Sequence, residues 1–285
     1  MHAPHPLTRR QFIQQASAAG WLLGGGLAAA ANRATGAAPP WLVTCRDLHL
    51  KITGQPDCWS AMKDLGVAGV ELRVDEELAC PNLYHPDHRY SLASADAIQR
   101  LRDDLHQQGR AVSALCMNNR LDERLDQEVA WTKKLVRAAE QLRVDAVRID
   151  VVPRKTPPAD FLPVAIKACQ ALCAAAEGTA VRFGIENHGS MTNDPAFLEK
   201  LFDGVGSPRL GLTLDIMNFY WFGHPLSDIY RLAEKFAVRV FHTHCKNLRY
   251  PEDRRDTRRP MGWEYEKYAA PLGEGDVNYQ RVARI

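Results

Sequence analysis

The sequence predicts an α/β fold of the TIM type, a (β/α) barrel in which strands and helices alternate along the chain. Three observations lead there. Short β-rich runs recur at an average spacing of about 33 residues, the length of one strand–helix unit. Amphipathic helical stripes fill the intervals between them. Polar and charged residues gather at the C-terminal ends of successive runs, where a barrel assembles its active site. The other fold built from such units, a doubly wound nucleotide-binding sheet, opens with a glycine-rich turn after its first strand. Here Thr44-Cys45-Arg46-Asp47 follows the first run and contains no glycine.

Thr8-Arg9-Arg10-Gln11-Phe12-Ile13 begins the chain's first recognisable segment, followed by the uncharged stretch Ala16 to Ala31, small residues and Pro39-Pro40. This order resembles a twin-arginine export signal: a polar start, paired arginines before Phe, a weakly apolar centre and alanines suited to a signal peptidase. Residues 1–38 are therefore expected to be a signal peptide and residues 39–285 one barrel domain. The resemblance implies the twin-arginine export machinery as a partner and the bacterial periplasm as the destination. No apolar run reaches the roughly 20 residues that span a bilayer, so no stable membrane span is expected.

The expected strands centre on Leu42-Val43-Thr44, Val70-Glu71-Leu72, Val112-Ser113-Ala114, Val147-Arg148-Ile149, Phe183-Gly184-Ile185, Gly211-Leu212-Thr213-Leu214 and Val238-Arg239-Val240-Phe241. Between them, Ile98, Leu101 and Leu105 form one helical stripe, and Leu125, Val129, Thr132, Val136 and Ala139 another. Pro56 and Gly66 bracket one helix, Ser94 and Gly109 the next, and Asp194-Pro195 opens a later one.

Composition excludes whole classes of function. With 46% hydrophobic and 25% charged residues in 285, the chain has the make-up of a folded globular protein. A formal net charge of +2 leaves no surplus to hold a phosphate backbone, so nucleic-acid binding, and with it a barrel endonuclease, is not expected. The seven cysteines are odd in number and scattered, which indicates no disulfide framework. Cys169 and Cys173, four apart on one helix, read as small apolar core residues rather than a metal pair.

The chemistry-bearing residues lie at the ends of the last three runs. Alternation along the fifth run places Glu186 and His188 on one side, facing the barrel mouth. Asp215 is the first charged residue after the apolar sixth run, and His242, His244 and Lys246 share one side of the seventh. A carboxylate, a carboxylate and an imidazole at matching heights form an oxygen-rich donor set suited to manganese, magnesium or zinc in a site left open to substrate. Each residue alone has an ordinary structural use, such as an arginine partner, a helix cap or a hydrogen-bonded histidine. Their recurrence on three consecutive strands favours a metal site. His242 lies deeper and reads as a supporting or core residue.

Four motifs carry a family resemblance: Ile185-Glu186-Asn187-His188-Gly189, Leu214-Asp215 through Asn218, His244-Cys245-Lys246, and Leu272-Gly273-Glu274-Gly275-Asp276-Val277-Asn278-Tyr279. Through them the chain from Trp41 onward resembles the sugar phosphate isomerase/epimerase group, the xylose-isomerase-like barrels. The resemblance implies that Glu186, Asp215 and His244 bind a divalent metal and that Glu186 acts as a proton-transferring base. It implies substrate contacts from His188, Lys246, Glu71 and Asn218, with Arg148 a weaker candidate. Arg148 serves equally well as an internal salt-bridge partner, and Glu71 as lining of the barrel floor. The family's eighth strand carries a second glutamate, and no such strand is expected before Ile285. Glu274, in a loop motif, is not expected to replace it.

Arg254, Arg255, Arg258 and Arg259 form the one local basic run. It could grip an acidic or phosphorylated substrate, or be a solvated loop balanced by Glu252, Asp253 and Asp256. Trp263, Tyr265 and Tyr268 could cover a sugar ring or anchor the loop. The expected function is a metal-dependent isomerase or epimerase acting on a carbohydrate through an enediolate. The alternatives are a 3-keto-glycoside lyase on the same metal site, or a non-catalytic carbohydrate-binding barrel.

Overall fold

The structure, a computed structural model, describes residues 42–285. The export-signal reading of residues 1–38 lies outside the described residues. Strands β1 (Thr44–Arg46), β2 (Gly69–Arg73), β5 (Ala111–Cys116), β6 (Ala146–Ile149), β7 (Arg182–Glu186), β8 (Leu210–Asp215) and β9 (Val240–His244) form one parallel sheet in that order. All seven expected runs are present. The first and last lie two or more residues further along than their apolar centres suggest, because Val43 and Val238 are exposed at the sheet margins.

The interior strands β6 and β8 are buried throughout, as strands covered on both faces must be, whereas β1 and β9 are mostly half-buried. These two are the edges of the described sheet. The curl is deep enough that Glu71 on β2 meets His242 and His244 on β9 across the interior. Close packing between neighbouring strands demands small residues: a Cβ on Gly184 of β7 would lie 2.5 Å from Thr213 Oγ1 on β8.

Local capping sets the helix boundaries. Asp57 caps helix Cys58–Asp64 by accepting from Ser60 N, Ser94 caps Ala95–Gln108 by accepting from Ala97 N, and Gly109 ends that helix in the left-handed region. Asp194 caps Pro195–Val205 with Pro195 at its first position. Ile98, Leu101 and Leu105 are buried against the sheet. In helix Leu125–Leu142 the buried face holds Thr132, Val136 and Ala139, with Trp131 and Leu135, while Leu125 and Val129 sit at its border. Cys169 and Cys173 are core residues of helix Phe161–Ala175, and no described cysteine is in a disulfide.

A hairpin, β3 (Ala79–Tyr84) with β4 (Arg89–Ser91), is inserted after β2 and has no counterpart in the sequence reading. Pro81 and the short span hide it from a periodicity argument. Tyr90 anchors it: Trp59 Nε1 donates to its hydroxyl at 3.0 Å, and that hydroxyl donates to Asp104 at 2.6 Å.

The segment Leu272–Tyr279 fastens the long loop that follows β9. Asn247, on β10 (Asn247–Leu248) beside β11 (Ala269–Ala270), donates to Leu272 O and Val277 O and accepts from Val277 N. Asp276 accepts from Tyr250 N and Tyr220 Oη and pairs with Arg255. A Cβ on Gly275 would stand 2.1 Å from Asn247 Cγ, so glycine is what lets the two segments meet.

Candidate metal centre

The C-terminal ends of β7, β8 and β9 lie side by side: Asp215 pairs with His244, and Glu186, the last residue of β7, pairs with Thr213, two positions before Asp215. Donor atoms of Glu186, Asp215 and His244 lie within 4.8 Å of one another, and all three residues are buried. The backbone beneath them is tightly held. Asn187 accepts from Asp215 N at 2.7 Å and donates to Asp215 O at 2.8 Å, clamping the ends of β7 and β8 together. Thr192 closes the following turn on His188 N and O. Asn187 lies inside the motif at the end of the fifth run, and only the fold shows what its amide does.

His244 is gripped from both ring nitrogens. Nδ1 lies 3.1 Å from Glu186 Oε1 and Nε2 lies 2.6 Å from Glu71 Oε2. Burial lowers the imidazole's proton affinity, but hydrogen bonding to Glu186 and Glu71 outweighs it and raises its pKa to about 9. The converse holds for Glu186. Burial raises its carboxyl, yet the bond with His244 and the charge of Arg148 hold it far below the usual carboxylate range. Glu71 is likewise raised by burial and lowered further by its bonds with His242 and His244.

Arg148, buried on β6, donates through Nε to Glu186 Oε2 at 2.9 Å and contacts the same oxygen through Nη2; Nη2 also reaches Asp150 at 2.9 Å. Both oxygens of Glu186 are thus engaged. Asp215 divides its work: Oδ1 accepts from Asn218 N, capping helix Ile216–Phe222, while buried Oδ2 makes no aligned hydrogen bond and has Lys246 Nζ at 2.7 Å. Burial lowers the Lys246 ammonium pKa, and Asp215 more than reverses that.

A divalent cation fits this set on two grounds. The donors are two carboxylates and an imidazole, and the buried Asp215 Oδ2 has as its partner only the cationic Lys246 Nζ, so positive charge already stands where an ion would bind.

The remaining site residues divide by exposure. Lys246 and Asn218 sit beside Asp215, with Lys246 Nζ 3.5 Å from Asn218 Oδ1 and Asn218 Nδ2 buried without a partner. His188 is exposed, since β7 ends at Glu186 and strict alternation ends with it. Glu71 is 2% exposed and turns both oxygens to protein groups. Glu274 is exposed in a surface cleft with Arg249 and Arg255, a cleft lined by none of the donor residues.

The basic run is occupied by its own loop. Arg259 is buried between Tyr220 and Tyr250, 4.5 Å from each ring centroid, and donates to backbone carbonyls including Tyr220 O and His224 O. Arg255 pairs with Asp276, Arg254 with Asp253, and Arg258 lies over Phe222. Trp263 and Tyr268 stack on each other and meet the Tyr250 ring tilted and edge-on respectively, so they anchor the loop, while Tyr265 is partly exposed.

Strand-end carboxylates and an imidazole, converging at the C-terminal face of a parallel barrel sheet, define a class of TIM barrels with a metal-type site. The chain belongs to the xylose isomerase-like TIM barrel family, which matches residues 59–285. No curated protein matches it. Among solved structures it is similar to a xylose isomerase-like TIM barrel protein from Mycobacterium smegmatis in complex with magnesium, at TM-score 0.60 and 16% identity, covering 86% of this chain and 85% of that one. It is similar to the probable 3-DHS dehydratase AsbF from Bacillus anthracis, at TM-score 0.59 and 14% identity over 86% and 88% of the two chains. A D-tagatose 3-epimerase-like protein gives TM-score 0.56 and 15% identity over 85% and 84%. At these identities the likeness is one of fold.

Proposed function

We propose that this chain is a metal-dependent sugar isomerase or epimerase that moves a proton beside the carbonyl of a keto or aldo sugar through an enediolate. The observation that carries the reading is the convergence of buried donor atoms of Glu186, Asp215 and His244 to within 4.8 Å of one another. Those three residues would hold the ion, manganese, magnesium or zinc, which supplies polarisation of the carbonyl and stabilisation of the enediolate.

The chain's own groups account for the rest. Lys246, Asn218 and exposed His188 bind substrate hydroxyls at the rim. Glu186 takes up the migrating proton on Oε2, which requires Arg148 to loosen its hold there. Asp150, 2.9 Å from the same guanidinium, gives Arg148 a second carboxylate on which to rest. Because every arginine of the run after β9 has a protein partner, an unphosphorylated sugar fits better than a sugar phosphate.

Elimination from a 3-keto-glycoside is the second reading, since it begins with the same proton removal; the likeness to a probable dehydratase favours keeping it. A non-catalytic carbohydrate-binding barrel is the third. Purified protein should contain a divalent ion that Glu186→Ala loses, and a panel of keto sugars in deuterated water should show solvent deuterium beside the carbonyl. Exchange without elimination supports isomerisation, whereas an unsaturated product supports the lyase. A protein that binds no ion and exchanges no proton overturns both.

Export completes the proposal: residues 1–38 act as a twin-arginine signal for barrel 39–285, placing the enzyme in the periplasm. Replacing Arg9 and Arg10 by Lys should retain the chain in the cytoplasm, and unchanged periplasmic recovery would count against it.

A further inference from the structure

Two groups of donors meet at His244, one on each ring nitrogen. Glu186 stands at Nδ1 and Glu71 at Nε2; Asp215 groups with the first and His242 with the second. A neutral imidazole has one lone pair and one N–H, so a single metal ion can take one side and the proton must take the other. Which side receives which is decided by the partners.

The Nε2 contact is the shorter of the two, 2.6 Å to Glu71 against 3.1 Å to Glu186 on Nδ1. Glu71 Oε2 is 2.6 Å from His244 Nε2 and 3.2 Å from His242 Nε2, and Arg46 Nε stands 3.1 Å from Glu71 Oε1. A carboxylate held by an arginine and a second histidine is a fixed acceptor, and it calls for an N–H from His244. The Nδ1 side holds two buried carboxylates, Glu186 and Asp215, and beside Asp215 the Asn218 Nδ2 is buried without a hydrogen bond. The Glu71–His244 contact also joins β2, second in the sheet, to β9, seventh, so it sets the ring's orientation from across the barrel.

We propose that Glu71 is a positioning residue: it accepts the Nε2–H of His244 and thereby aims the Nδ1 lone pair at the space shared with Glu186 and Asp215, with Arg46 and His242 holding Glu71 in place. This rests on the metal reading of that space. Glu71 thus acts through His244 and touches neither ion nor substrate. Its chemistry follows from the general behaviour of metal-bound histidines, whose outer nitrogen is oriented and made more basic by a carboxylate.

The test uses the full chain with zinc and manganese as probes. Wild-type protein should bind one ion in an equilibrium titration. Nitrogen NMR of ring-labelled histidine in the zinc-loaded protein should show His244 protonated at Nε2 and metal-bound at Nδ1. Glu71→Gln, which keeps the shape and removes the charge, should weaken binding by about 10–100-fold, the usual effect of losing such a partner. His242→Leu, which removes one of Glu71's two imidazole donors, should weaken it less. Equal affinity in wild type and folded Glu71→Gln, or a zinc-loaded His244 carrying its proton on Nδ1, overturns the role of Glu71. A wild-type chain that takes up no ion is a different result, and overturns the metal reading on which the role depends.

Discussion

Lys246 Nζ stands 2.7 Å from Asp215 Oδ2, the same oxygen that makes no aligned hydrogen bond. An ammonium and a divalent cation bound as proposed would therefore compete for one carboxylate oxygen. The Lys246 side chain is 40% exposed while Asp215 is fully buried, so solvent screens the pair only in part and its worth lies at the upper end for screened pairs, roughly 1 kcal/mol. Lys246→Met should tighten manganese or zinc binding by up to about fivefold and at the same time lower turnover of a sugar substrate. Weaker ion binding in this variant, measured by competition with a chromogenic chelator, would show that Lys246 supports the ion rather than displacing it.

Arg148 neutralises two buried carboxylates, Glu186 and Asp150. Removing one partner of a buried ion pair leaves an uncompensated charge and typically costs about 3–5 kcal/mol. Arg148→Leu should accordingly lower the stability of the metal-free protein in urea by that order, and adding Glu186→Gln to it should recover part of the loss. Additive losses in the double variant would mean that the two residues do not interact.

His244 makes the metal-free protein sensitive to alkali. Its pKa of about 9 in the fold exceeds the 6.5 of an ordinary histidine, because the pairing with Glu186 and Glu71 outweighs burial. Stabilisation from that pairing is fully present below about pH 6.5 and is lost as pH rises through about 9. Metal-free wild type should therefore lose melting temperature between pH 7 and 10 more steeply than His244→Asn. Parallel profiles would place the titration elsewhere.

Gly275→Ala tests the late motif. Its Cβ would meet Asn247 Cγ at 2.1 Å, so the backbone of Leu272–Tyr279 has to move away from β10. Overpacking of this kind costs about 1–3 kcal/mol. The expected result is faster proteolytic nicking of the loop after β9 with zinc or manganese binding retained; loss of ion binding would tie the motif to the metal centre.

Much of this architecture was legible before any coordinates. Apolar runs and capping residues such as Ser94, Gly109 and Asp194 act over a few positions, so periodicity and caps locate the seven strands and the helices between them. The donor residues were legible for a related reason: a parallel barrel puts every strand's C-terminal end on one face, so Glu186, Asp215 and His244 had to lie at one end of the sheet. Hairpin β3–β4 was not legible, because its stability comes from Tyr90 meeting Trp59 and Asp104, residues far apart along the chain.

By itself, then, the sequence determined the repeated strand–helix units and the family, and placed Glu186, Asp215 and His244 at one end of the sheet. Only the tertiary structure decided how those residues are used. Sequence left Arg148 between substrate contact and salt bridge, and the fold puts it on Glu186. It left the arginines after β9 between anion grip and solvated loop, and the fold engages each of them with the loop or its neighbours. It placed Glu71 on a strand end without saying what it faces, and the curl of the sheet turns it to His244, 173 residues away. The physical reason is one of range. Propensity and periodicity are local, whereas the partner of a buried charge is whatever the closing barrel brings within hydrogen-bonding distance.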